Sequence, residues 1–262
     1  MKHQARKRFG QNFLQDEGII QQIIHAINPQ PNDNIVEIGP GKGALTASLL
    51  QQSGSLNVIE LDRDLIPILQ RNLNHPDSLT IHNVDALKFN FLSLTNDKHP
   101  LRIVGNLPYN ISTPLMFHLI DFASNIADMH FMLQKEVVDR ITAMPNSKAY
   151  GKLSVMLQYY CFAEKLFDVR PESFSPAPKV NSAIVRLIPY KEKPVNVDNE
   201  IVFNKIVHQS FSQRRKTLRN NLKQMLTDEE ISSVGISPSV RAETLTVEQF
   251  TKLADLANVK VI

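Results

Sequence analysis

Apolar residues recur along this chain in two regimes. From Asn34 to about Ile188, short β-rich apolar runs alternate with helix-length amphipathic stretches, the pattern of a mostly parallel sheet covered on both faces. Strands are predicted at Asn34–Ile38, Leu56–Glu60, Leu79–Asn83, Leu101–Gly105, Met129–Leu133, Ala163–Val169 and Ala183–Ile188. Helices are predicted over Gly43–Gln52, Arg63–Leu73, Pro114–Phe122, Lys135–Ala143 and Lys152–Cys161. A polar connector with two prolines, Pro189 to Val197, then changes the rhythm. Beyond it Phe203, Ile206, Val207, Ser210 and Phe211 keep helical spacing, and Leu218, Leu222, Met225 and Leu226 resume it as a second helix beginning near Ser212. Thr227–Glu230 and Thr246–Gln249 are capping-box patterns, and Gly235 is a helix stop. The reading is an α/β domain of about seven strands over residues 1–190, followed by a small all-α domain over residues 191–262.

Composition narrows the class. With 262 residues, 42% hydrophobic and 21% charged, the chain is an ordinary folded protein, and no apolar run approaches a membrane span. One cysteine, Cys161, excludes an internal disulfide and a structural zinc site, and is read as a small core residue in a helix. The histidines show no metal spacing, so the expected chemistry needs no metal. The basic start is followed by Phe9–Leu14, Asp16 and Glu17 instead of an apolar signal region, so a cytoplasmic location is expected.

Glu37-Ile-Gly39-Pro-Gly41-Lys-Gly43 falls where the first predicted strand turns into the first helix, the place where such sheets bind nucleotide-like cofactors. Glu60 ends the second strand, where a carboxylate can accept both ribose hydroxyls. Asp85 follows the third, placed to accept an adenine amine. Any one of these has an ordinary reading, a tight turn or a solvated acid; at three successive strand ends they describe a cofactor pocket. The spacing is G-x-G-x-G, which does not match the dinucleotide pyrophosphate fingerprint. Three acids suit S-adenosylmethionine, which has no phosphate and carries a cationic sulfonium. An NAD-dependent dehydrogenase is the competing enzyme class.

After the fourth strand comes Asn106-Leu107-Pro108-Tyr109. The exocyclic amine of adenine is a poor nucleophile because its lone pair is delocalised. The Asn106 side-chain oxygen and the Leu107 carbonyl can accept its two hydrogens and aim the lone pair at a methyl group. Pro108 stiffens the turn, and Tyr109 offers a stacking face worth about 1–3 kcal/mol per base. In isolation the tetrapeptide would be a strand-ending turn; behind a cofactor loop it signals an amino-methyltransferase.

These motifs resemble the ribosomal RNA adenine N6-dimethyltransferases, and the likeness runs through nearly the whole chain. It is carried by Phe9–Leu14, Glu37–Gly43, Glu60-Leu-Asp62, Gly105–Ser112, Met132–Val137, Phe174–Val180 and Gln213–Asn221. Within the family the chain looks like the bacterial small-subunit enzymes. The resemblance implies a Rossmann-like methyltransferase fold, with S-adenosylmethionine contacted by Asn12, Leu14, Gly39, Gly41, Glu60, Asp85 and Asn106. It implies two adjacent adenosines as substrate, in a hairpin loop near the 3′ end of 16S ribosomal RNA within an immature 30S subunit. It also implies that Phe174 sandwiches the target base opposite Tyr109. Resistance-type enzymes acting on 23S RNA share the cofactor and acceptor motifs. Asn106-Leu-Pro in place of Asn-Ile-Pro, together with Gln213–Asn221, sets this chain apart from them. A third possibility is an assembly factor without turnover, against which the intact Asn106–Tyr109 motif argues.

Charge adds a surface. Residues 201–227 carry six cations and no acid, among them Arg214, Arg215, Lys216, Arg219 and Lys223, a distribution suited to RNA phosphates. Residues 1–15 carry four cations and no acid, an arm expected to order over cofactor or RNA. The formal net charge of +3 thus averages two basic blocks with an acidic remainder. A monomer without membrane contact is expected.

Overall fold

A computed structural model describes residues 12–74, 76–95, 99–108 and 111–259. The basic residues of the N-terminal arm, and Tyr109, lie outside them. In chain order the first elements are β1 (Phe13–Leu14), α1 (Glu17–Ile27), β2 (Asn34–Ile38), α2 (Thr46–Ser53), β3 (Leu56–Ile59), α3 (Ile66–Asn72) and β4 (Leu79–His82). There follow β5 (Leu101–Asn106), α4 (Ser112–Ile120), β6 (Ile126–Gln134), α5 (Lys135–Ile141), α6 (Lys152–Tyr160), β7 (Cys161–Val169), β8 (Phe174–Ser175) and β9 (Ser182–Pro189). The last are α7 (Glu200–Ser210), α8 (Leu218–Leu222), α9 (Asp228–Ser233) and α10 (Val247–Asn258).

Seven strands form one sheet in the order β4-β3-β2-β5-β6-β9-β7. The first five run parallel, and β9 lies antiparallel to β6. Val36, Val58, Ile103, Val104 and Phe131 are fully buried, as expected for strands covered on both faces. Chain connectivity reverses between β2 and β5, so a crevice opens above their C-terminal ends. Helix α1, absent from the predicted elements, is built by Ile20, Ile23, Ile24 and Ile27 on one buried stripe. Asp16 caps its start by accepting from the Ile19 N–H at 3.2 Å, and Asn28 closes it in the left-handed conformation at φ 48°.

The chain divides into two compact units, one boundary falling between Pro189 and Tyr190, and a stretch inside the expected sheet domain crosses to the other unit. The sheet unit takes the described residues up to Val138 together with Glu164–Pro189, while Asp139–Ala163 belong with the C-terminal helices. The reason is packing: the Tyr150 hydroxyl donates to the Leu245 carbonyl at 2.8 Å, and the Tyr159 and Phe203 rings lie 4.5 Å apart. Two further differences concern ends. Cys161 opens a strand instead of closing α6, and it is buried. No helix begins at Ser212, because the Asn221 side-chain amide donates to the Ser210 carbonyl at 2.6 Å and satisfies the end of α7. Helix α8 begins only at Leu218, whose N–H donates to the Val240 carbonyl. Both predicted capping boxes are present, at Thr227 with Glu230 and at Thr246 with Gln249.

Candidate active site

Above the parallel strand ends of the sheet unit lies a cavity of about 650 Å³. It is lined by Asn12, Leu14, Gly39, Gly41, Glu60, Asp85, Asn106, Leu107, Pro108 and Phe174, so ten of the residues singled out from the sequence meet in one place. Tyr109 lies outside the described residues.

The glycine loop is shaped by its lack of side chains. Gly39 and Gly41 have φ of 70° and 59°, a conformation that L side chains rarely adopt. A Cβ on Gly41 would come within 3.2 Å of the Phe13 ring. Gly105, in β5, sits closer still: a Cβ there would meet the Ile38 carbonyl oxygen at 2.8 Å. The backbones of β2 and β5 therefore approach each other directly under the cavity floor.

Three carboxylates, Glu37, Glu60 and Asp62, are buried in this wall. Glu60 accepts from the Asp62 N–H at 2.8 Å and from the Gly41 N–H at 3.4 Å. Burial raises its pKa from the ordinary carboxylate value, against the pull of those amides. Glu37 is 2% exposed, and its Oε2 finds no hydrogen-bond partner among the described residues. Burial pushes its carboxyl up to about 7 against the pull of the nearby Thr46 hydroxyl, and the neighbouring Glu60 charge adds to the rise. A buried acceptor without a donor is costly unless a ligand supplies one, and a cationic ligand would favour the ionised form. Asp85 faces the same cavity while accepting from the Leu87 N–H at 3.0 Å, which starts a tight 3₁₀ turn over Ala86–Lys88.

Asn106 ends β5 with its amide oriented by the chain itself. Its Nδ2 donates to the Asn12 carbonyl at 3.1 Å, which leaves Oδ1 as the acceptor of that side chain. The neighbouring Leu107 N–H donates to the Met132 carbonyl at 3.2 Å, fixing the turn against β6. Asn12 is held in turn because β1 pairs antiparallel with β8, Phe13 opposite Ser175 and Leu14 opposite Phe174. This two-stranded sheet brings Phe174 to the cavity wall.

An acid-lined glycine cradle beside an oriented asparagine at the end of the fourth parallel strand is the arrangement of an amino-methyltransferase, and the whole chain matches that family. A family model for ribosomal RNA adenine dimethylases matches residues 2–258. The chain belongs to the ribosomal RNA adenine dimethylases. It is 56% identical over 253 residues to the ribosomal RNA small subunit methyltransferase A of Acinetobacter baylyi, covering 97% of this chain and 92% of that one. It is 53% identical over 261 residues to the protein of the same description from Pseudomonas syringae pv. syringae, covering 100% and 97%. Among solved structures, a dimethyladenosine transferase from Plasmodium falciparum superposes with a TM-score of 0.79 at 27% identity, covering 95% of this chain and 98% of that one. The 23S rRNA methyltransferase ErmE shares the fold, with a TM-score of 0.72 at 22% identity over 94% and 100% of the two chains. As a dimethylase of this family the chain is an S-adenosylmethionine-dependent methyltransferase, and the fold is the Rossmann-like one expected.

The predicted phosphate contacts lie in the helical unit, and the structure divides them. All five are exposed. Arg214 pairs with Glu243 at 3.2 Å and donates to the Lys148 carbonyl, and Arg219 pairs with Asp228 at 2.6 Å. Arg215, Lys216 and Lys223 form no ion pair among the described residues. The stretch is free of acid in sequence, but acids from beyond it fold back onto two of its cations. Cys161, buried and with its thiol pushed up to about 12, is no nucleophile. No helix among the described residues is long and apolar enough to cross a membrane.

Sequence reasoning missed Phe13, Lys42 and Asp62 as cavity residues. Lys42 places its Nζ 4.4 Å from the Phe13 ring centre. The signal available was the isoleucine spacing of α1, which would have located the cavity-edge segment just ahead of it.

Proposed function

We propose that this chain dimethylates N6 of two adjacent adenosines in a hairpin loop near the 3′ end of 16S ribosomal RNA, within the immature 30S subunit and as a monomer in the cytoplasm. The observation that carries this reading is the Asn106 amide, locked by the Asn12 carbonyl inside the cavity that also holds the glycine loop and the buried acids. The 53–56% identity to small subunit methyltransferases over nearly the whole chain supports 16S over 23S RNA.

The residues present fit S-adenosylmethionine. When bound, it supplies an electrophilic methyl group on a sulfonium. Gly39 and Gly41 let the backbone approach it, Glu60 takes the ribose hydroxyls, Asp85 takes the adenine amine, and Asn12 and Leu14 cover it. The unpartnered Glu37 oxygen contributes negative charge near the cationic end. At the acceptor, Asn106 Oδ1 and the Leu107 carbonyl take the two N6 hydrogens in the first transfer, and one of them takes the single remaining hydrogen in the second, drawing that nitrogen toward a tetrahedral shape. Each transfer exchanges an S–CH3 bond for an N–CH3 bond, and the cationic nitrogen then loses one proton to water. Tyr109 and Phe174 hold the unstacked base, and Pro108 keeps the turn stiff. No strong base is required: the rate comes from alignment of sulfur, methyl and nitrogen. An adenine inside a paired stem cannot reach such a cavity, which favours a loop or an extruded base. Arg214, Arg215, Lys216, Arg219 and Lys223 grip phosphates outside it.

The decisive test incubates the protein with undermethylated small subunits and methyl-labelled S-adenosylmethionine, then maps the modified nucleotides. Dimethylation of two neighbouring adenosines near the 16S 3′ end is expected. Label confined to 23S RNA, or NAD binding with no methyl transfer, overturns the reading.

A further inference from the structure

Residues 12–15 line the cavity in unbroken succession, and Asp16 follows them at the start of α1. The Asn12 carbonyl accepts from the Asn106 amide, and the Phe13 ring packs over Gly41. Leu14 pairs with Phe174. The Gln15 N–H donates to the Ser173 carbonyl at 2.9 Å, and the Ser173 hydroxyl donates to Asp16 Oδ2 at 2.9 Å across 157 residues of sequence. Asp16 uses its other oxygen to cap α1.

The β1–β8 sheet is only two residue pairs long, too short to be rigid alone. What fixes it at its outer end is the Ser173–Asp16 hydrogen bond, with the Ser173 side 6% exposed. On one side of this clasp lies the segment that covers the cofactor and orients Asn106. On the other lies the loop that presents Phe174.

We propose that Asp16 and Ser173 are positioning residues that make the cofactor cover and the base-holding loop one mechanical piece, so that the methyl donor and the target adenine strengthen each other's binding. Neither residue lines the acceptor end, and neither touches the reacting atoms. Their effect passes through Asn12 to Asn106 and through Phe174 to the base. A ligand that orders one half of the clasped piece spares the second ligand that ordering cost, which is a coupling free energy shared reciprocally by both sites. This coupling presupposes that Asn106 and Phe174 meet the target adenine.

The experiment measures the affinity of the full chain for undermethylated small subunits, with and without saturating S-adenosylhomocysteine. In the wild type the cofactor product tightens subunit binding. In Ser173→Ala the tightening is expected to shrink about fivefold, the worth of one hydrogen bond, while each ligand alone binds within about twofold of wild type. Asp16→Ser keeps a side-chain oxygen for the α1 cap but shortens the reach to Ser173, and it should lose the same coupling. Unchanged tightening in both variants, even with a lowered melting temperature, overturns the proposal and leaves the pair structural. So does a wild type that methylates but shows no tightening. A wild type that methylates no small-subunit adenosine refutes the assigned function itself, a distinct failure.

Discussion

Glu37 is the residue whose environment most constrains the behaviour of the cavity. Its carboxyl is buried, its Oε2 finds no hydrogen-bond partner among the described residues, and burial pushes it up to about 7 against the pull of the Thr46 hydroxyl. A cationic ligand binds the ionised form, so affinity for S-adenosylhomocysteine, whose amino group is cationic, should rise as pH increases from 6 to 8. Glu37→Gln should flatten that rise, as isothermal titration at three pH values will show. The sign for folding is opposite. Because the folded pKa lies above the unfolded one, the free protein loses stability as pH rises from about 4.5 through 7, and ligand restores it. Denaturant melts of free and ligand-bound protein over that range check both halves. Asn106 makes a second residue-scale prediction. Asn106→Ala removes the acceptor for the amine and should lower kcat by roughly two orders of magnitude or more, as loss of a transition-state hydrogen-bonding group does. Affinity for S-adenosylhomocysteine should fall much less, since Glu60, Asp85 and the glycine loop remain. Methylation kinetics beside direct binding separate the two effects.

At the scale of elements, the site depends on how closely β2 and β5 approach. Gly105→Ala would press a methyl group against the Ile38 carbonyl at 2.8 Å and the Leu107 side chain at 2.8 Å. Backbone cannot swing aside as a flexible side chain can, so the substitution should cost about 1–3 kcal/mol, the range for overpacking. It should also displace Asn106, which follows at once in the chain. Urea denaturation measures the first, and lost methylation at a temperature where the variant is folded measures the second. These elements were also the most legible in the sequence. The β2, β3 and β5 runs are largely apolar and buried, edge strand β4 is only half-buried, and all four observed strands begin at the predicted residues. What lies at their ends was legible too, since Glu37 is the last residue but one of β2 and Glu60, Asp85 and Asn106 each close or follow a strand. The β1–β8 pairing was not. Two residues carry no periodicity, and their partnership spans more than 150 positions. Phe174 was therefore named from resemblance, while its place against Leu14 emerged only in three dimensions. The helix expected near Ser212 failed for a similar reason: a distant side chain, Asn221, satisfies the carbonyls that would have propagated it.

For the molecule as a whole, function requires that a small acidic cavity be presented to a polyanion. The cations that offset this repulsion lie in two places in the sequence, residues 1–15 and 201–227, and the second block belongs to the helical unit. Within it the structure ranks the candidates. Arg214 and Arg219 are held by Glu243 and Asp228, so a phosphate must compete with an existing ion pair. Arg215, Lys216 and Lys223 are exposed and carry no such debt among the described residues. Each phosphate neutralised contributes roughly 0.7–0.9 to the slope of log K against log salt. Replacing Arg215, Lys216 and Lys223 together with Gln should therefore lower the slope for small-subunit binding by about 2–3 if all three engage phosphates. The Arg214→Gln and Arg219→Gln pair should lower it by less and cost folding stability as well, because each substitution leaves an acid without its partner. Filter binding at four salt concentrations gives the slopes. Cofactor affinity is the internal control, since the described residues that line the cavity all belong to the sheet unit and should not respond. A slope unchanged by the triple substitution would move the RNA grip elsewhere, with the N-terminal cations the next block to test.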